Sequence, residues 1–252
     1  MSNAIVTAAM VAIGDELLSG RTKDKNIGHL ADMLTAVGID LEEVRIIGDD
    51  EGAIVRAVNE LRSVYTYVFT SGGIGPTHDD ITADAISKAF GVPCEHDEKA
   101  LELMGAVYRS RDIEFTESRK RMARMPKGAE HIVNPVSVAP GFTIGNVHVM
   151  AGVPSVFQAM LDSLLPTLKT GAKIQSVAVH CPFGEGTIGD PLAAIQNENR
   201  ETVIGSYPQF DGTAFSTQIV IRGRDAAAIE AAAAQVRQML TLLQSKREKT
   251  AR

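Results

Sequence analysis

Residues Ser71-Gly72-Gly73-Ile74-Gly75-Pro76-Thr77-His78-Asp79-Asp80 set three glycines ahead of two adjacent carboxylates. An apolar, β-branched and aromatic run precedes them and a helical pattern follows, so the segment is predicted to be a strand-to-helix turn. A glycine-rich turn of this kind presents backbone N–H groups and a helix N-terminus, both of which favour an anion such as phosphate. Asp79 and Asp80 would repel that anion unless a divalent cation bridges carboxylate and phosphate, or ligand hydroxyls donate to the carboxylates. Phosphate chemistry is therefore the first expectation. The amides of Gly72, Gly73 and Gly75 form the expected cradle, Ser71 and Thr77 flank it, and Asp79 with Asp80 are the candidate metal ligands. Helix capping by Thr77 or Asp79 is the plainer use of the same turn, and it accounts for one carboxylate and the proline. His78, beside the turn, is either solvated or an additional metal or phosphate contact.

Other acidic or glycine-bearing segments also follow apolar runs. Gly14-Asp15-Glu16-Leu17-Leu18-Ser19-Gly20 carries a carboxylate pair able to take metal, ribose hydroxyls or ring N–H donors. Asp49-Asp50-Glu51 is suited equally to capping a helix and to the site, and Gly152-Val153-Pro154-Ser155 completes the set. The densest basic run, Ser118 to Arg124, is either a solvated helix face or the source of an arginine for phosphate, Arg119 or Arg124. Gly184-Glu185-Gly186-Thr187-Ile188-Gly189 matches the dinucleotide fingerprint, but the following strand ends in Gly205-Ser206-Tyr207 rather than an acidic residue, which argues against a nicotinamide site. No nucleoside-triphosphatase P-loop, zinc-protease helix or nucleophile-elbow motif is present.

The elements that must position these residues alternate. Strands are expected at 5–13, 40–47, 64–70 and 147–151, and helices at 24–36, 51–62, 80–90, 98–110, 116–124 and 155–165. In the first helix Ile27, Leu30, Ala31, Leu34 and Val37 share one apolar face, and Gly38 is a fitting stop. Such alternation predicts an α/β fold with a mainly parallel sheet covered on both faces. Loops after parallel strands meet at one sheet edge, so all four segments are expected in one neighbourhood. Lys169 to Ala172 is a plausible linker. Beyond it a strand (174–180), a helix (191–198), two strands (202–207 and 214–222) and a helix (226–243) predict a small α+β unit, with Ser245 to Arg252 as a solvated tail. The expected domains are 1–168 and 172–245.

With 44% hydrophobic and 22% charged residues among 252, the chain has an ordinary globular composition. A net charge of −6 argues against a non-specific nucleic-acid surface. Cys94 and Cys181 are too few for a disulfide framework or a thiolate zinc site, and a cytoplasmic location is expected. The apolar start, residues 4–13, is too short to span a bilayer, so no membrane association is expected.

These residues together resemble the molybdopterin-binding (MoCF) domain superfamily, and more closely the amino-terminal domain of the CinA (competence/damage-inducible protein A) family. The likeness rests on Gly14 to Gly20, Asp24, Asn26, Thr70 to Thr82, Pro135, Ala139-Pro140-Gly141-Phe142 and Gly152-Val153-Pro154, and in the small unit on Ile204-Gly205-Ser206-Tyr207-Pro208. The molybdopterin-binding-like half of eukaryotic FAD synthetases is similar too. The resemblance implies a three-layer α/β/α domain and a homo-oligomer. It places Asp80 and Asp49 on acidic positions required or shared by molybdopterin adenylyltransferases, and so as candidate catalytic residues. The ligand-binding candidates beside them are Gly14, Asp15, Glu16, Ser71, Gly72, Gly73, Gly75, Thr77, Gly152 and Pro154. Two activities are implied: hydrolysis of a nucleoside diphosphate derivative such as ADP-ribose with Mg²⁺, Mn²⁺ or Co²⁺, or binding and adenylylation of molybdopterin. Either partner is a small adenylyl or pterin phosphate. A scaffold with an inactive site is the third expectation, because Ala151 and Ser137-Val138 replace the family's usual Pro and Gly-Thr.

Overall fold

The structure, a computed structural model, describes residues 5–210, 213 and 215–250. Two compact units divide the chain at Gly171/Ala172. The first runs β1 (Val6–Ile13), α1 (Asp15–Leu18), α2 (Asn26–Val37), β2 (Ile39–Ile47), α3 (Glu51–Val64), β3 (Tyr67–Ser71), α4 (Thr82–Phe90), β4 (Cys94–His96), α5 (Glu98–Ser110), α6 (Glu117–Lys120), β5 (Arg124–Pro126), β6 (Glu130–Ile132), β7 (Gly141–Ile144), β8 (Val147–Met150) and α7 (Pro154–Leu164).

Six strands form one sheet in the order β2-β1-β3-β8-β7-β6. The first four are mutually parallel, and β7 and β6 add on antiparallel. This is the mainly parallel α/β sheet expected. The alternation of side chains along β1 explains the layers. Ala9 and Val11 pack with Ile54, Val58, Ile86 and Met104 on one face. Ala8 and Met10 pack with Leu30, Leu34, Phe157 and Leu161 on the other. Gly38 closes α2 in the left-handed region at φ 80°, its N–H donating to the Leu34 and Thr35 carbonyls, as its position past the apolar stripe predicts.

One buried polar group stands out in this core. His148 on β8 shares a hydrogen bond of 2.9 Å with Thr143 Oγ1 and lies 5.2 Å from the Phe69 ring. Burial pushes its imidazole down to about 4, so it stays neutral in the fold.

Several expected boundaries move. Val64 ends α3 rather than opening a strand, because Asn146 Nδ2 donates to the Arg62 and Tyr65 carbonyls and satisfies the helix end. The helix expected at 116–124 is only one turn. A 3₁₀ turn (Arg121–Ala123) follows it, and Arg124 then enters a two-stranded ribbon opposite His96. The helix expected from Asp80 begins at Thr82, with Ile81 as its uncapped start. Capping by Thr77 or Asp79 is thereby overturned.

The second unit contains β9 (Gln175–Cys181), α8 (Glu185–Glu198), β10 (Thr202–Phe210), β11 (Phe215–Gly223) and α9 (Ala226–Thr250). Its antiparallel sheet has the order β10-β11-β9. Val179, Ile219 and Ile221 form its core with Ile188, Ile229 and Val236 of the two helices. Helix α8 begins six residues before the expected Pro191, so the fingerprint-like Gly184 to Gly189 is a helix start and not a phosphate loop. Helix α9 runs through Thr250, where a tail from Ser245 was expected. Met1 to Ala4, Ala214, Ala251 and Arg252, on which parts of the expected terminal segments and one expected strand fall, lie outside the described residues. Among the described residues no helix is long and apolar enough to cross a membrane.

Candidate active site

The C-terminal ends of β1, β2, β3 and β8 meet at one edge of the sheet. A cavity of about 520 Å³ opens there, lined from all four strand ends by Glu16, Asp49, Gly73, Asp79, Asp80 and Gly152 among others. Gly14, Gly72, Gly75 and Pro154 also border it. The backbones meet so tightly that glycine is required. A Cβ on Gly72, whose φ is +107°, would stand 2.2 Å from the Ile13 carbonyl oxygen, and one on Gly152 would stand 3.3 Å from the Gly72 Cα. Asn26, at the start of α2, ties the same strand ends together. Its Nδ2 donates to Ser71 Oγ at 2.7 Å and to the Gly152 carbonyl at 2.9 Å.

The amides of this turn divide into two groups. Gly72 N–H donates to the Met150 carbonyl. Among the described residues, the N–H groups of Gly73, Ile74 and Gly75 hydrogen-bond to nothing in the chain. Three neighbouring free amides are the kind of donor set that can accept an anion. Asp80 is fixed beside it. Its Oδ2 accepts from the Thr77 N–H at 2.8 Å and from the Thr77 hydroxyl at 2.5 Å, and a Cβ on Gly75 would fall 2.6 Å from the same oxygen.

Asp15 and Asp49 answer the charge problem in another way. Asp49 Oδ2 accepts from the Asp15 amide at 3.0 Å, and Asp15 Oδ1 accepts from the Asp49 amide at 3.3 Å. Each carboxylate thus finds a backbone donor on the neighbouring loop. The compensation is incomplete at Asp49. Burial raises its carboxyl above the usual carboxylate range; the Asp15 amide opposes this, and the charges of Asp15, Glu16 and Asp79 add to the rise. Asp50 caps α3, accepting from the Ala53 amide at 2.7 Å.

Not every candidate faces the cavity. Asp15 holds Asp49, Ser71 is buried against Asn26, and Thr77 holds Asp80. Among the described residues no group of three or more His, Cys, Asp or Glu side chains is placed to hold a metal ion unaided. A shell built from Asp79, Asp80, Asp49 and Asp15 together is therefore not formed, because Asp15 and Asp49 turn towards each other's amides.

The basic run also resolves differently from expectation. Arg124 grips Asp84 with both terminal nitrogens, at 3.0 and 2.5 Å, and Arg119 hydrogen-bonds to the Glu114 carbonyl and stacks over Tyr108. Arg121 instead reaches the ligand turn, donating to the Asp80 carbonyl at 3.1 Å. Its place within a basic helical run carried no signal of this. The cavity has an apolar wall as well, from Ile74, Met122, Val156 and Met160, and among the described residues no basic side chain lines it. A donor-rich ring or sugar with an attached anion at the amides matches this lining.

The sequence profile described as "Probable molybdopterin binding domain" matches residues 9–170. That described as "FAD synthase, middle domain" matches residues 173–247. A curated protein from Pyrobaculum arsenaticum is 38% identical over 211 residues, covering 80% of each chain. One from Caldivirga maquilingensis is 34% identical over 198 residues, covering 76% of this chain and 75% of its own. The crystal structure of CinA, of unknown function, from Thermoplasma acidophilum superposes with a TM-score of 0.59 at 31% identity, covering 66% of this chain and 99% of that one. The free amide cup, the glycine contacts behind it and these matches agree, and the chain belongs to the molybdopterin-binding domain family as a CinA-like member.

Proposed function

We propose that the cavity takes an adenylyl diphosphate ligand and that the protein hydrolyses it, with ADP-ribose as the first substrate to test. The observation that carries this reading is the meeting of three unengaged amides, Gly73 to Gly75, with the carboxylates of Asp49, Asp79 and Asp80 in one cavity. In the reaction, water attacks one phosphorus, the P–O–P bond breaks, and the leaving phosphate departs with the bonding electron pair. The free amides hold the phosphate oxygens as their charge grows. Asp49, whose raised carboxyl makes it a stronger base than an ordinary aspartate, accepts the proton of the attacking water. Asp80, locked by Thr77, keeps its second oxygen directed to the reacting group or its counter-ion.

Asp79 and the free oxygen of Asp80 fit a divalent ion shared with substrate phosphate, the arrangement Mg²⁺ favours over an all-protein cage. When bound, Mg²⁺, Mn²⁺ or Co²⁺ would neutralise phosphate charge and lower the pKa of a bound water. The purified chain with ADP-ribose and each metal should release AMP and ribose 5-phosphate. Asp80→Asn should lower turnover by about 100-fold or more, the scale at which removing a transition-state contact acts. Equal rates for wild type and Asp80→Asn would remove Asp80 from the mechanism, and no release by wild type would end the hydrolase reading.

The family description supports a second reading, a pterin phosphate in the same cup with AMP transferred to it. Co-purifying pterin fluorescence, or AMP transfer from ATP without ADP-ribose cleavage, would favour it. A scaffold without a ligand would show no thermal shift with any of these compounds.

A further inference from the structure

The turn from Pro76 to Asp80 has a second side. A separate cavity of about 350 Å³ opens there, bordered by Pro76 and His78 of the turn, His96 of β4 and Ser118, Arg121 and Arg124 beyond it. Among the described residues Glu117 is its one carboxylate, and the Lys120 ammonium binds that group at 2.6 Å. Asp84 lies beside the arginines and is shared between them, at 2.5 Å from Arg124 and 3.9 Å from Arg121. Two guanidinium groups on one carboxylate leave one positive charge over, and it rests on Arg121. That side chain uses only Nη2, on the Asp80 carbonyl. Its Nε is buried with no partner, and Nη1 makes no hydrogen bond among the described residues.

A local positive excess is notable in a chain of net charge −6. It is more so because the cavity across the turn is lined by Glu16, Asp49, Asp79 and Asp80 and, among the described residues, by no basic side chain. A narrow crevice shares Gly75 and Asp80 with the acidic cavity, and Arg121 and Arg124 with the basic one.

We propose that the basic cavity is a phosphate-binding subsite, in which Arg121, His78, His96 and the Ser118 hydroxyl donate to the oxygens of a phosphate dianion. Planar guanidinium, imidazole and hydroxyl donors converging on one pocket suit a group with several equivalent acceptor oxygens. The phosphate is either free or a terminal group of the molecule held across the turn. The inference does not depend on hydrolysis.

The test is titration of the full chain with inorganic phosphate, followed by calorimetry or ³¹P line broadening. Wild type should bind saturably, and Arg121→Gln should weaken binding about tenfold, as loss of a charge-assisted donor does. His96→Gln, at an exposed position, should weaken it about threefold, on the scale of one neutral hydrogen bond. Glu16→Gln would tighten any phosphate held in the acidic cavity, so it should leave this affinity unchanged.

AMP separates the two sources. Displacement of phosphate by AMP, with AMP affinity also falling in His96→Gln, marks a phosphate carried by the larger ligand. Simultaneous binding of both marks a free ion. The proposal is overturned if wild type shows no saturable phosphate binding, if Arg121→Gln and His96→Gln bind as wild type does, or if Glu16→Gln binds more tightly. Any of these results leaves the hydrolase test standing, and failure of that test leaves this one standing.

Discussion

Two glycine-rich segments of this chain look alike on paper and behave oppositely in the fold. At Gly72 and Gly73 the backbone has φ of +107° and +70°, and an added Cβ would stand 2.2 Å from the Ile13 carbonyl oxygen and 2.1 Å from Thr82 Oγ1. At Gly184, Gly186 and Gly189, apart from the adjoining residues and the helix's own backbone, no heavy atom of the described residues lies within 4 Å of an added Cβ, and none of the three has a positive φ. The first segment needs glycine because strand ends and a helix start converge on it. The second is the opening of α8 on an exposed surface, where glycine is merely allowed. A motif's letters record composition, and only the surrounding backbone decides whether glycine is required.

Gly72→Ala should break the first segment outright. A left-handed conformation costs a Cβ-bearing residue about 1 kcal/mol and overpacking against a rigid carbonyl adds roughly 1–3, so a loss near 3 kcal/mol is expected. Chemical denaturation measures this directly, and ligand-induced thermal shifts should vanish with it. Unchanged stability would mean that β1 and β3 can part at this edge without cost.

Between these extremes lies a position where glycine is missing. Val138, on the segment that borders the cavity through Ser137 and Ala139, has φ of +69°. The loop is held in this shape by Asn134. Its Oδ1 accepts from the Val136 and Ser137 amides, while its Nδ2 donates to Ser137 Oγ and the Ala139 carbonyl. For a β-branched residue that conformation costs about 2 kcal/mol. The side chain also packs against the core, and half-burial of a valine is worth about 1 kcal/mol. Glycine's larger unfolded-state entropy takes back a further 0.5–1 kcal/mol, roughly. Val138→Gly should therefore alter stability by less than about 1 kcal/mol in either direction, near neutrality for a change that is otherwise costly. A loss above about 2 kcal/mol in an unfolding titration would show that the turn carries no strain.

What the sequence made legible follows the length and regularity of each element. Strand β1 alternates Ala8 and Met10 with Ala9 and Val11 on two buried faces, and α2 repeats its apolar stripe up to Gly38; both signals run over eight residues or more. They sufficed to bring the glycine-rich and acidic loops to one edge. Strands β4 to β7 have three or four residues each, too few for any period to show, so the two antiparallel strands of the sheet and the separate β4-β5 ribbon are not legible in the sequence. The site's finer wiring was hidden for a different reason. The exchange of amides between Asp15 and Asp49, and the choice of Arg121 over Arg119 and Arg124 to reach Asp80, depend on register between distant segments. A carboxylate rim read from sequence calls for a cation or a donor-rich ligand; backbone donors already meet part of that demand.

The smallest expected effect has the opposite sign and sharpens the contrast most cleanly. Gly189 sits inside α8, exposed, with ordinary helical geometry and open space where a Cβ would go. Gly189→Ala restricts the unfolded chain and adds helix propensity without touching a neighbour, so it should stabilise the protein by about 0.5–1 kcal/mol. Pro191, two residues on, removes one hydrogen bond of the same helix, and its ring presses on the turn before it. That places the expected gain at the lower end. Differential scanning calorimetry should resolve the change as a modest rise in the unfolding temperature, with ligand shifts at the acidic cavity untouched. Destabilisation by Gly189→Ala would mean that this glycine, too, is held open for something that approaches it, and the contrast between the two segments would fail.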